Sequence, residues 1–198
     1  MNPYVQFGIA MCGVVGISLA GTGYLAAHFN RKAKADMQAR LGPLAEAIGG
    51  EADIEEATVT GRYRDAIAFG RVSTAPGGFG RLFHVELVDS AGGSKWEWSN
   101  LPIKGEPEPK RTFDGDPALQ DRLGLDWDAL AAVVPDAKKQ RWGWIYDPEA
   151  GMVRLTREMR TRIDIPDADQ FTSQLAVLAG IGEANRRAQH APGSPAHD

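Results

Sequence analysis

Residues 57–100 read ATVTGRYRDAIAFGRVSTAPGGFGRLFHVELVDSAGGSKWEWSN, and this stretch decides the fold. Apolar and polar residues alternate along it in short segments, which are separated by turn-forming Gly, Pro, Asp and Ser. In the third segment Phe83, Val85 and Leu87 share one face, whereas His84 and Glu86 point the other way. Such alternation is typical of antiparallel strands that cover a core on one side only. We therefore predict strands at 57–63, 66–72, 81–89 and 94–100.

The rest of the chain adds helices around this group of strands. Asp116 before Pro117 and Asp126 before Trp127 are typical helix starts, and Asp167 with Gln170 forms a capping box before a final apolar-faced helix. A short strand at 110–113 and a hairpin at 140–146 and 152–157 complete the pattern. Because the strands are grouped rather than alternated with helices, residues 51–189 are predicted to form an α+β domain, an antiparallel sheet packed with helices.

The run 4–29 at the amino terminus carries no Asp, Glu, Lys or Arg. It exceeds the roughly 20 apolar residues that a helix needs to cross a bilayer, which favours a transmembrane anchor at 1–30 in contact with lipid through residues 4–29. The alternative is a cleaved signal peptide, with Ser18-Leu19-Ala20 as the cleavage site. A signal peptide begins with basic residues, which are absent before the run, so we favour the uncleaved anchor. Residues 31–50 are predicted to be a juxtamembrane helix and linker, broken at Gly42-Pro43.

The charges that flank the run set the expected orientation. Arg31, Lys32, Lys34 and Arg40 all follow it, and basic residues near a span stay on the cytoplasmic side. These residues predict a cell-membrane protein with one span and a cytoplasmic domain. A stripe of small residues on the same helix would allow a partner helix to approach closely, either from another protein or from a homo-oligomer. The stripe consists of Gly13, Gly16, Ala20, Gly23 and Ala27. Residues 190–198 are predicted to be a disordered tail.

Composition argues against several kinds of partner and cofactor. The formal net charge is −4 and the isoelectric point about 5.6, whereas a nucleic-acid-binding domain would present a basic face. The only cysteine is Cys12, so the domain has no zinc cluster of cysteines and no thiolate nucleophile. The Gly-rich segment 77–80 lacks the spacing of a dinucleotide or phosphate-binding loop. We therefore predict no nucleic acid, no metal and no cofactor.

Two groups of residues are candidates for ligand binding. His84 and Glu86, two apart on one strand, form the single acid–base pair in the predicted domain, and solvent-facing polar residues explain them equally well. Aromatic rows form the second group, and they are either an exposed stacking platform or part of the core. Burial is the interpretation that we favour, because no convergent polar groups accompany the rings. The rows are Trp96 with Trp98, and Trp142 with Trp144 and Tyr146.

The arrangement resembles a broad group of uncharacterised bacterial membrane-anchored proteins. The matching residues are Gly61-Arg62-Tyr63-Arg64-Asp65 in an early hairpin, Phe113-Asp114-Gly115-Asp116-Pro117, and the helix from Ala168. The resemblance spans most of the domain. It implies an amino-terminal span with an α+β domain behind it, and it implies no particular activity.

Three functions follow as hypotheses. The first is a non-enzymatic, membrane-anchored domain for protein–protein contact. The second is a sensory domain that binds a small molecule in a Trp-lined cleft, and the third is a hydrolase that uses His84 with nearby carboxylates. An exposed apolar patch would favour the first, and a deep cleft lined by tryptophan would favour the second.

Overall fold

The computed structural model describes residues 3–78, 80–89, 92–161 and 164–189, and it shows the predicted elements in the predicted order. The strands are β1 (Glu51–Asp53), β2 (Thr58–Tyr63), β3 (Ala66–Thr74), β4 (Arg81–Val88), β5 (Trp96–Leu101), β6 (Lys110–Asp114), β7 (Trp142–Asp147) and β8 (Met152–Met159). The helices are α1 (Pro3–Ala47), α2 (Pro117–Leu123), α3 (Trp127–Ala132) and α4 (Ala168–Gln189). Only β1 was not predicted. The predicted tail, residues 190–198, lies outside the described residues.

All eight strands form one antiparallel sheet, which confirms the α+β class. Their order is β1-β2-β3-β4-β8-β7-β5-β6, and β1 and β6 are its edges. Strands that are neighbours in the sheet are also consecutive along the chain, apart from the pairs β4 with β8 and β5 with β7. The predicted caps also form, since Asp116 accepts a hydrogen bond from the backbone N–H of Ala118 and Asp167 accepts one from Gln170.

The two faces of the sheet have different roles. We call the first the helix face, because Phe171 of α4 packs close to Gly70 and Phe83, and Trp127 of α3 stacks on Trp98. Its side chains are mostly buried and apolar: Phe83, Val85, Leu87, Trp96, Trp98, Trp142, Trp144, Tyr146, Val153 and Leu155. By strict alternation, their neighbours point to the opposite side, which we call the open face. The open face includes Arg71, Ser73, Leu82, His84, Glu86, Glu97, Ser99, Thr112, Gly143, Ile145, Arg154, Thr156 and Glu158.

The amino-terminal helix differs from the prediction in two ways. Among the residues that the structure describes, no helix holds a stretch that is long and apolar enough to cross a membrane. The predictions of a transmembrane anchor at 1–30 and of a single-pass cell-membrane protein with a cytoplasmic domain were therefore wrong, whereas contact of residues 4–29 with lipid stays an untested prediction. The run lacks charge, but glycines such as Gly16, Gly21 and Gly23 contribute little hydrocarbon, so absence of charge was mistaken for hydrophobicity.

The second difference is the predicted break at Gly42-Pro43, which was also wrong. Pro43 lies inside α1, which continues for one more turn to Ala47. Proline disfavours a helix interior, but here Leu41 and Leu44 on either side of it are fully buried, and their burial offsets that cost. The chain divides into two units, Met1–Ala39 and Arg40–Asp198. In the first unit nothing lies within 4 Å of a Cβ placed on Gly13, Gly16 or Gly23, and helix–helix contact through the small-residue stripe stays a prediction.

Two glycines of α4 should respond oppositely to alanine. A Cβ on Gly180 meets nothing within 4 Å, so Gly180→Ala is expected to raise the free energy of unfolding by up to about 1 kcal/mol through helix propensity. A Cβ on Gly182 would overlap the carboxylate of Asp89, which is 8% exposed and held by Arg186 at 2.7 Å. Gly182→Ala should therefore lower the same quantity by about 1–2 kcal/mol. Urea unfolding of both variants measures the difference, and equal shifts would contradict this packing.

Candidate functional site

The tryptophan rows lie in the core, which confirms the prediction that they are buried. Trp96, Trp98, Trp142 and Trp144 are each between 0% and 3% exposed, and Tyr146 is fully buried. Alternation places their side chains on the helix face, opposite to His84 and Glu86. The structure therefore does not bring the two candidate groups together, and the rows form no stacking platform.

The aromatic core is anchored by groups that sequence reasoning missed. Trp127, at the start of α3, stacks on Trp98 with ring centroids 4.8 Å apart and planes 10° from parallel. The indole N–H of Trp96 donates a hydrogen bond to the side-chain oxygen of Asn185 at 3.2 Å. The sequence signal for Trp127 was its place directly after the capping Asp126, where it begins a helix over the sheet. These contacts give the rings a structural role.

His84 lies on the open face between two hydroxyl groups. Its Nε2 is 2.7 Å from the Oγ of Ser73 on β3, and its Nδ1 is 3.0 Å from the Oγ1 of Thr156 on β8. Burial, together with the positive charges of Arg71 and Arg154, lowers the pKa of His84 from 6.5 to about 4. The imidazole is therefore neutral at pH 7, with both ring nitrogens in polar contact.

Glu86 is the centre of a buried ion-pair cluster. Its Oε1 lies 3.0 Å from a terminal nitrogen of Arg71 and 2.6 Å from the Nε of Arg154. The carboxylate side chain is 6% exposed, whereas the two arginine side chains are 41% and 24% exposed. The two guanidinium groups therefore shield Glu86 from water. The three residues together carry a net charge of about +1. Cross-strand register brings this cluster together, because Glu86 lies opposite Arg154, and Arg71 lies opposite His84, two residues from Glu86 on the same face.

A groove opens beside this cluster, over β7. Its volume is about 370 Å³, which falls in the range of small-molecule and side-chain sites. Gly143 lies between Ser99 and Thr156 in register, so three small residues make its floor. The full lining is Ala75, Pro76, Leu82, Glu97, Ser99, Arg141, Trp142, Gly143, Ile145, Thr156 and Glu158. Apolar walls with a polar floor and charged ends suit the binding of one largely apolar group.

The same geometry makes acid–base chemistry at His84 a poor interpretation. A general base works best when its pKa is near the working pH, and a pKa of about 4 makes the imidazole a weak base at neutral pH. The side chain is also only 7% exposed, and Glu86 is engaged by arginines rather than by the imidazole. Within the described ranges, no group of three His, Cys, Asp or Glu residues is placed to hold a metal ion.

Comparison with known proteins adds no further guidance. No protein-family model matches the chain, and no curated protein or solved structure is similar enough to count as a relative.

Proposed function

We propose that the domain is a non-enzymatic binding module that contacts a protein partner through the open face of its sheet, with an apolar side chain of that partner in the groove over β7. The observation that carries the proposal is the groove itself, floored by Gly143 on the side of the sheet opposite to the contacts of α3 and α4. A glycine in a strand often marks the close approach of another backbone, and a Cβ on Gly143 would lie 2.9 Å from the backbone oxygen of Trp98, so no side chain rises from the floor at this position.

The character of the surrounding surface supports a protein partner. Leu82 and Ile145 are half-buried walls next to the fixed charges of Arg71, Glu86 and Arg154. An apolar centre with polar groups around it is the usual plan of a protein interface. The arginines are already ordered by Glu86 in the free protein, so binding would cost little additional side-chain entropy.

A groove-filling variant tests the proposal. Ser99→Phe places a ring in the groove, whereas Thr60→Phe places the same ring at an exposed position on β2, outside the lining. Peptides selected from a random library against the full chain should bind Ser99→Phe at least tenfold more weakly than the original protein, and should bind Thr60→Phe equally well. Fluorescence anisotropy measures the affinities. Selected peptides that fail to distinguish the two variants would contradict the proposal.

A small molecule is the second candidate, and the volume of the groove favours it. Its 370 Å³ lies in the size range of sites for compact ligands. Soaking crystals in a fragment library distinguishes the two functions. Fragments that occupy the groove and are not displaced by the selected peptides would favour the small molecule.

A further inference from the structure

We propose that the edge strand β6 pairs with β6 of a second copy of the chain, antiparallel and about a two-fold axis through Thr112, so that two sheets join into one. The inference is independent of the function proposed above, because it concerns the edge of the sheet rather than its open face.

The edge is available for such pairing. In the described part of the chain β6 pairs with β5 alone, and no other backbone hydrogen bond involves Lys110–Asp114. The outward N–H and C=O groups of an edge strand are a template for another strand. Lys110, Arg111 and Asp114 are exposed, and Thr112 and Phe113 are partly so, as expected for an uncovered edge.

The sequence of the strand, Lys-Arg-Thr-Phe-Asp, is complementary to itself when reversed. With Thr112 opposite Thr112 of the second copy, Lys110 lies opposite Asp114, and the pair occurs twice by symmetry. Arg111, whose guanidinium is paired with Asp128 at 2.6 Å, lies opposite Phe113 on the helix face, where a guanidinium can pack on an aromatic ring. Opposite charges directly across an antiparallel pair stabilise it, and like charges destabilise it.

The same strand disfavours the alternative pairings. A parallel pairing in register would place Lys110 opposite Lys110 and Asp114 opposite Asp114. A one-residue slip would turn the helix face of one copy towards the open face of the other. The charges therefore select one register as well as permit it.

The other edge of the sheet provides an internal comparison. β1 has three residues, Glu51–Asp53, and reversed self-pairing would place Glu51 opposite Asp53 of the second copy. Two acidic pairs would face each other there, so this edge repels itself. Of the two edges, only β6 has a pattern that attracts a copy of itself.

A two-fold axis normal to the sheet keeps each face on its own side. The open faces of both copies would then be continuous, with the two grooves on one surface. Ser99, in the floor of the groove, hydrogen-bonds through its Oγ to the Oγ1 of Thr112 at 2.8 Å, so each groove lies one strand away from the joined edge.

Cysteine cross-linking of the full chain tests the pairing and its register. Cys12→Ser is made in every variant, because Cys12 is the native cysteine. Thr112→Cys then places one thiol per chain on the proposed axis, at a cross-strand separation that suits a disulfide. Thr60→Cys, exposed on β2, is the matched control for random collision. Under mild copper-catalysed oxidation, dimer on a non-reducing gel should form at least tenfold faster for Thr112→Cys than for Thr60→Cys.

Charge reversal then tests whether Lys110 of one copy lies opposite Asp114 of the other. In the Thr112→Cys background, Lys110→Asp alone and Asp114→Lys alone should each slow cross-linking at least tenfold, because like charges face each other twice. An equal mixture of the two single variants should restore the fast rate, since each then offers the charge that the other lacks. Thermal melts confirm that these exposed substitutions leave the fold intact. Equal rates for Thr112→Cys and Thr60→Cys, or no recovery on mixing, would overturn the proposal.

Discussion

Trp144→Ala is expected to lower the free energy of unfolding by about 3–5 kcal/mol, comparable to much of the stability of a typical domain. Trp144 is fully buried on the helix face, opposite Trp98 on β5 and Leu155 on β8. Its removal deletes a large apolar surface from the centre of the sheet and leaves a cavity that surrounding strands cannot close. Urea unfolding followed by circular dichroism measures the loss.

Trp144→Phe is the matched control. The phenyl ring retains most of the buried area, and it removes an indole N–H for which no hydrogen-bond partner occurs among the described residues. Because an unpaired buried donor is unfavourable, its removal offsets part of the lost packing, and we expect a cost of about 1 kcal/mol or less. Wild-type stability in Trp144→Ala would show that the ring does not support the core, and would restore the exposed-platform interpretation.

The sheet could be predicted because its information is local. Alternation at Phe83, Val85 and Leu87 requires only a strand with one buried face, and each such segment carries its own signal. Capping by Asp116 and by Asp167 is equally local, because an aspartate needs only the N–H groups of the next turn. The predicted strands and helix caps occur in the structure because the tertiary packing favours the same local conformations.

Features that depend on contacts outside their own segment were missed. β1 is a strand only because Glu51–Asp53 pairs with Thr58–Thr60, and its acidic sequence carries no alternation of its own. The helix α1 passes through Pro43 because Leu41 and Leu44 are buried, which the local sequence does not reveal. In the run 4–29 the absence of charge was local and evident, but it did not measure how apolar the helix is.

The candidate site shows the same division. Alternation alone places His84 and Glu86 together on one face. Their partners Arg154 and Thr156 are about 70 residues further along the chain, and they arrive through the β4–β8 pairing, which no turn length specifies. From the sequence, Gly143 was predicted only to be part of the strand at 140–146. It makes a groove only because Ser99 and Thr156, which lie beside it in register, are also small.

His84 is expected to make the protein less stable in acid. Lowering the pH from 6.5 to 4 should reduce the free energy of unfolding by about 3 kcal/mol through this residue alone, in addition to the loss that other groups cause. The unfolded chain takes up a proton at this residue near pH 6.5, whereas the folded pKa is about 4. Between these values the unfolded state binds more protons, so stability is full above pH 6.5 and decreases as the pH falls. The cause is burial, with Arg71 and Arg154 opposing an additional positive charge.

His84→Gln isolates this contribution. Glutamine can hydrogen-bond to Ser73 and Thr156, but it does not titrate, so the variant keeps the contacts and loses the proton uptake. Urea unfolding of both proteins at intervals from pH 7 to pH 4 measures the difference between them, in which the carboxylates common to both largely cancel. The original protein should lose its advantage over His84→Gln progressively, by about 1.4 kcal/mol per pH unit in the middle of the window. A difference that stays constant with pH would mean that the folded protein protonates His84 as easily as the unfolded chain does, and that the imidazole is not held neutral between Ser73 and Thr156.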